Sequence, residues 1–220
     1  MIKENLNRIK SSLPEQVQLV AVSKTKPLPF LQEAYDAGQR HFGENRVQEL
    51  AEKFEALPKD IHWHMIGHLQ SKKVKYIAPF VHLIHGVDSL KLLEEINKQA
   101  LKNERIIDCL LQFHIANEDT KFGFSFEEVV ELLGSADFYQ LKNVRIVGVM
   151  GMATFTDDAK IVRQEFATLA NYFSLLKNNQ FKFAPYFSEI SMGMSGDYLI
   201  AVEEGSTMVR VGSSIFGGRS

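Results

Sequence analysis

The run Val17-Gln18-Leu19-Val20-Ala21-Val22-Ser23-Lys24-Thr25-Lys26-Pro27 is an apolar β segment that ends in an amine. Alternation along a strand puts Val20, Val22 and Lys24 on one face. In a strand buried on both sides that face is largely apolar. An ammonium there is costly, whereas a lysine with a lowered pKa is a good Schiff-base nucleophile. A lysine that ends a strand by reaching water fits the same eleven residues, and taken alone the segment favours that plainer reading.

Two later segments change the balance. Ser191-Met192-Gly193-Met194-Ser195-Gly196-Asp197 brings small residues and the Ser195 hydroxyl to the start of a helix whose first N–H groups can meet an anion, with Asp197 as a possible cap. Met208-Val209-Arg210-Val211-Gly212-Ser213-Ser214 offers close backbone approach at Gly212 and a hydroxyl at Ser213. Taken alone such a segment more often makes a plain turn than a phosphate site; two of them adjacent at one mouth favour a cup for a phosphate. Arg210 shares a face with Met208 and Gly212, so its guanidinium points inward beside that cup and requires an acceptor, either a ligand or a buried carboxylate such as Glu44. Phe42-Gly43-Glu44-Asn45-Arg46 adds a carboxylate and an amide suited to orienting a planar polar ligand, although Asn45 also suits a helix cap.

His62-Trp63-His64 places two imidazoles on one strand face, as a hydrolytic zinc centre would. His68, His85 and His114 lie near strand ends without carboxylates at matching spacings. Hydrogen-bonded or solvated histidines are therefore expected, and no metal ligand is assigned. Lys121, in the loop after the fifth strand, either faces the mouth or balances Glu118 and Asp119 as a solvated cation, and the solvated reading is preferred. Cys109, in Ile106-Ile107-Asp108-Cys109-Leu110-Leu111, is the chain's one cysteine and reads as a small buried hydrophobe.

These groups need a scaffold that gathers strand ends. Apolar β-branched runs alternate with amphipathic segments along the whole chain, the pattern of parallel strands joined by helices. Eight strands are expected at Val17–Thr25, His41–Glu44, His62–Gly67, His82–Asp88, Arg105–Ile115, Val144–Met152, Phe187–Met194 and Thr207–Gly212. Helices are expected at Pro29–Ala37, Arg46–Ala56, Ser71–Ile77, Leu90–Leu101, Phe126–Leu133, Asp157–Leu176 and Tyr198–Glu204, with an extra one at Ile2–Ser11 before the first strand. Gly38 and Gly205 fit helix C-termini, and Asp88-Ser89 and Thr156-Asp157 fit N-termini. The expected fold is a single α/β domain over residues 1–220, a (β/α)8 TIM-type barrel with an added N-terminal helix. In such a barrel the C-terminal strand ends carry function and the last two loops hold phosphate.

Composition narrows the function classes. A net charge of -2 and 24% charged residues give no electrostatic footprint for nucleic acid. No stretch is long enough to span a bilayer and the N-terminus lacks a secretory apolar core, so a cytoplasmic location is expected. A monomer is the default.

Together these residues resemble the YggS/PROSC family of pyridoxal phosphate homeostasis proteins, whose fold is like the N-terminal barrel of alanine racemase. The matching segments are Ala21–Lys26, Phe42–Asn45, Trp63–Gln70, Ser191–Ser195 and Gly205–Gly217, in order along almost the whole chain. The resemblance implies pyridoxal 5'-phosphate (PLP) as cofactor, a Schiff base at Lys24, Arg210 near the pyridine nitrogen, Asn45 near the ring, and Ser195, Gly212 and Ser213 at the phosphate. Ser213-Ser214 stands where the family often has a threonine, which keeps a hydroxyl. An arginine at the pyridine nitrogen disfavours its protonation and weakens the ring as an electron sink. The chain also ends four residues after Phe216, without a second domain to supply an opposing acid/base. A non-enzymatic protein that buffers PLP or delivers it to PLP-dependent apo-enzymes is expected, with a racemase-like PLP enzyme as the alternative.

Overall fold

The computed structural model describes residues 1–117 and 122–218; Lys121 lies outside the described residues. Eight parallel strands close into one barrel in sequence order: β1 (Gln18–Val22), β2 (His41–Glu44), β3 (His62–Met65), β4 (Leu83–Val87), β5 (Ile107–Gln112), β6 (Val144–Met150), β7 (Glu189–Ser191) and β8 (Met208–Val211). The helices are α1 (Ile2–Ser12), α2 (Leu28–Asp36), α3 (Val47–Ala56), α4 (Leu90–Lys102), α5 (Phe126–Gly134), α6 (Ala136–Tyr139), α7 (Ala159–Asn178), α8 (Tyr198–Glu203) and α9 (Ser213–Phe216), with a 3₁₀ turn at Ser71–Tyr76. The (β/α)8 expectation holds, and all eight expected strands are present. Among the described residues no helix is long and apolar enough to cross a membrane.

Register fixes which side chains enter the barrel. Val20 lies opposite Arg210, and Gly43 opposite Val22 and His64, so these positions share the inner face. Inside, Val20, Leu83, Leu110, Val147, Met150 and Met208 form a small apolar cluster. The opposite parity feeds the larger layer between sheet and helices, where Phe42, Trp63, Phe113, Phe166 and Phe187 are almost wholly buried. The added helix α1 buries Ile2, Leu6 and Ile9, a stripe at helical spacing, and Asn5 Nδ2 donates to the Ile215 carbonyl at 3.0 Å, tying the helix to α9.

Several ends differ from the sequence expectation. β1 stops at Val22, because the chain folds into a turn in which Lys26 N donates to the Ser23 carbonyl at 3.0 Å and Thr25 takes φ 63°. Lys24 therefore sits in a turn beyond the strand rather than on it. β7 has three residues where eight were expected. Helix α7 starts at Ala159 with Asp158 as its cap, accepting from Lys160 N, one residue beyond the expected pair. Ser89 does cap α4, accepting from Leu92 N at 3.3 Å, and Gly38 and Gly205 take φ of +89° and +98° after their helices. Asn45 is no helix cap: Arg46 occupies that position of α3, without a side-chain cap bond.

Candidate functional site

A cavity of about 520 Å³ opens at the C-terminal mouth of the barrel. Lys24, Asn45, Ser195, Arg210, Gly212 and Ser213 all line it, so the fold brings together every residue singled out as a site candidate from the sequence.

Lys24 is half-buried, and the turn that carries it is anchored from below. Lys53 of α3 donates to the Ser23 carbonyl, to Glu44 Oε1 and to Glu49 Oε1, each at 2.7 Å. Ser23 Oγ donates to Glu44 Oε1 at 2.5 Å, and Thr25 N to Glu49 Oε1 at 2.6 Å. Glu44 is fully buried, and its Oε2 has no hydrogen-bond partner. Burial pushes its carboxyl up to about 7 against the pull of Lys53 and Ser23. Glu44 therefore neither pairs with Arg210 nor faces a ligand: it has the parity of Phe42, which points outward, and it serves the Lys24 turn from behind. Gly67 is needed next to Asn45, since a Cβ there would stand 2.5 Å from the Asn45 carbonyl oxygen.

Arg210 is 3% exposed. Its Nη1 donates to Ser191 Oγ at 2.5 Å and its Nη2 to the Gly151 carbonyl at 3.2 Å. Burial lowers the guanidinium to about 10, opposed by the carboxylate of Asp197, so it stays cationic at neutral pH. Behind Ser191 a polar column descends through the barrel: Ser191 Oγ to His85 Nδ1 at 2.8 Å, His85 Nε2 to His64 Nδ1 at 2.8 Å, and His64 Nε2 to His41 Nδ1 at 2.9 Å. His64 and His85 are held well below the ordinary histidine range, chiefly by burial.

The cup is pre-formed. Gly212 N donates to Ser195 Oγ at 3.1 Å, and Arg210 N to the Gly193 carbonyl at 2.9 Å, joining the loops after β7 and β8. A Cβ at Gly212 would lie 2.9 Å from the Val22 carbonyl oxygen, so only glycine lets β8 approach β1 this closely. Asp197 precedes α8 but makes no cap bond to it; its Oδ1 accepts from Met194 N at 2.6 Å and closes the loop on itself.

The loop after β6 was not foreseen as part of the site. Thr154, Phe155 and Asp157 line the same cavity. Glu165 of α7 reaches up to that loop, accepting from Thr154 N at 2.6 Å and from Thr154 Oγ1 at 2.7 Å. The signal was present: Glu165 adjoins Val162, Phe166 and Leu169 on the buried face of α7, where an acid needs a specific donor. Lys26 also lines the cavity, with Nζ donating to the Gly218 carbonyl at 2.7 Å. Cys109 is buried and its thiol is pushed far up by desolvation, as a small core residue should be. His68 lies 3.2 Å from Asp88 Oδ2 and stacks on Phe122.

The family model for the alanine racemase N-terminal domain matches residues 1–220. A pyridoxal phosphate homeostasis protein of Aquifex aeolicus is 39% identical over 92% of this chain and 87% of its own length. The protein of that name from Escherichia coli K12 is 38% identical over 94% and 87%. The chain belongs to the pyridoxal phosphate homeostasis protein family. Among solved structures, PipY of Synechococcus elongatus, in a form with PLP bound, is similar to this family member at TM-score 0.87, with 38% identity over 99% of this chain and all of that one. An alanine racemase of Clostridium difficile shares the fold at TM-score 0.74 and 16% identity, with this chain spanning 56% of it.

Proposed function

We propose that the protein binds PLP through a covalent bond to Lys24 and holds it as a carrier that buffers the reactive aldehyde and passes it on. The observation that carries this reading is the convergence of a lysine, a buried arginine and a Gly-Ser cup on one cavity of about 520 Å³. These residues fit the cofactor: an amine for its aldehyde, hydroxyls at Ser195 and Ser213 with the Gly212 backbone for its phosphate, and a cation for the ring nitrogen. When bound, PLP supplies an electron-withdrawing ring that stabilises carbanions, most strongly when its nitrogen is protonated. Arg210 works against that protonation, because its guanidinium stays charged and its hydrogen-bond partners are a neutral hydroxyl and a carbonyl. The residues therefore hold and orient the cofactor better than they activate it, which supports a carrier over a racemase. PLP-dependent apo-enzymes are the natural recipients.

The test is borohydride reduction of the protein loaded with PLP, followed by peptide mass mapping. A phosphopyridoxyl group on Lys24 is expected, and its appearance on Lys26 alone overturns the assignment. Incubation with amino acids in deuterated solvent should leave Cα unexchanged; steady incorporation would establish an enzyme instead.

A further inference from the structure

At the opposite, N-terminal mouth of the barrel, four imidazoles crowd together. His41 opens β2, His62 opens β3 directly across from it in register, and His82 precedes β4. His64 sits one layer deeper, fully buried. The His41 and His62 rings stack at 4.6 Å, and His82 lies 4.5 Å from His62 and 5.3 Å from His64 between ring centroids. None of the four lines the cofactor cavity at the far end of the strands, and His41 and His64 reach it through His85 and Ser191. One nitrogen from each of His41, His64 and His82 lies within 4.8 Å of the other two.

We propose that His41, His64 and His82 form a binding site for one divalent transition-metal ion of the zinc class. Three neutral imidazoles with one position left open are a set that zinc takes readily, and imidazole suits this class of ion better than magnesium or calcium. The His41–His64 distance is close to that required, and His82 lies within reach of a small ring movement. Two Zn–N bonds of about 2.0–2.1 Å at a tetrahedral angle put the nitrogens about 3.3 Å apart, so the pair His41 Nδ1 and His64 Nε2, now at 2.9 Å, has to open by a few tenths of an ångström. Each ring keeps one proton on the nitrogen turned away from the ion. For His64 that nitrogen is Nδ1, which faces His85 Nε2 at 2.8 Å, an outer partner that fixes tautomer and ring orientation. His62 plays the same part for His82, their Nδ1 atoms lying 3.2 Å apart. The fourth position opens into a cavity of about 590 Å³ lined by His41 and His82. Asp108, on the same cavity wall, is held in a two-pronged pair with Arg145 at 2.7 and 2.9 Å and so does not compete as a ligand.

The plainer reading is a ladder of hydrogen-bonded imidazoles with no ion, and the two part company in a titration. Untagged protein, stripped with a chelator and dialysed, is titrated with Zn²⁺ by calorimetry and with Co²⁺ by visible absorption. One ion per chain and the intense d–d bands of tetrahedral Co²⁺ are expected. His82→Gln, at an exposed position, and His41→Gln should each weaken binding by more than the about 100-fold that bounds the loss of an outer partner, and His62→Gln by no more than that. Far-UV circular dichroism and Lys24 labelling should match the parent in His82→Gln and His62→Gln, which separates a lost ligand from a misfolded barrel; His41→Gln also removes the partner of His64 and is checked by circular dichroism alone. Substoichiometric binding, a weak octahedral Co²⁺ spectrum, an unchanged affinity in His82→Gln, or an equal loss in His62→Gln would each overturn the site.

Discussion

Replacing Glu44 by glutamine tests whether burial or Lys53 governs the carboxyl beneath the Lys24 turn. Two forces oppose there. Desolvation favours the neutral acid, while Lys53 at 2.7 Å and Ser23 at 2.5 Å favour the carboxylate. Desolvation wins, raising the group from 4.5 to about 7. The folded protein then binds a proton at Glu44 that the unfolded chain has already released over most of that interval, so stability falls as pH rises from about 4.5 through about 7. The slope approaches 1.36 kcal/mol per pH unit and the total is roughly 3 kcal/mol. Glutamine keeps the shape and an acceptor for Lys53 but cannot ionise. Urea unfolding of parent and Glu44→Gln at pH 5, 6, 7 and 8 gives the difference in unfolding free energy at each pH. That difference should move in favour of the variant by roughly 2–3 kcal/mol between pH 5 and pH 8. A flat difference would show that Glu44 is not perturbed. A difference moving toward the parent as pH rises would show that the Lys53 ion pair outweighs burial, reversing the physical account of this corner.

Three further outcomes follow from distances already given. Ser191→Ala strips the acceptor from a buried guanidinium and a partner from His85; a loss of about 1.5–3 kcal/mol is expected, read as a Tm lowered by roughly 3–12 °C, and an unchanged Tm would refute it. Gly212→Ala drives a methyl to 2.9 Å from the Val22 carbonyl oxygen, so urea unfolding should show about 1–3 kcal/mol of destabilisation together with weaker PLP retention; full retention at parental stability would mean that β8 shifts freely. Lys26→Ala removes an exposed bond to Gly218 and should change stability by less than about 0.5 kcal/mol while the borohydride adduct stays on Lys24, whereas loss of the adduct would move the anchor to Lys26.

The strand and helix order was legible because parallel strands buried on both faces read as near-continuous apolar runs, and those runs recur here eight times. Their ends were not legible in the same way. A turn ends β1 after Val22, and that turn is dictated by Lys53 and Glu49 on another helix, contacts with no trace in residues 17–27. The inward set of Val20, Arg210 and Gly212 followed from parity alone. Parity could also have excluded a Glu44–Arg210 pair, since Gly43 is the β2 residue that faces Val20 and Ile66 inside. The histidine cluster is legible only with the register in hand: positions 41, 62 and 82 are one βα unit apart, and a closed barrel brings the starts of adjacent strands side by side.

The polar column in the barrel explains how a buried arginine can be kept both ordered and electrostatically active. A carboxylate at Nη1 would fix Arg210 more firmly, but it would cancel the charge that the guanidinium presents to the cavity. Ser191 fixes it with a hydroxyl instead, and that hydroxyl needs its own partner in a dry interior, which His85 supplies. His85 is in turn oriented by His64, and His64 by His41 at the water-exposed end. Arginine is an obligate donor. In the metal-free protein, with every ring neutral, each hydrogen in the column is used if Ser191 donates to His85 Nδ1, His85 Nε2 to His64 Nδ1, and His64 Nε2 to His41 Nδ1; an ion at His64 Nε2 would reverse the two His85 bonds. The demand for a partner is thereby passed from the buried guanidinium down to solvent, and Arg210 meets the cofactor cavity as a cation tempered by the Asp197 carboxylate.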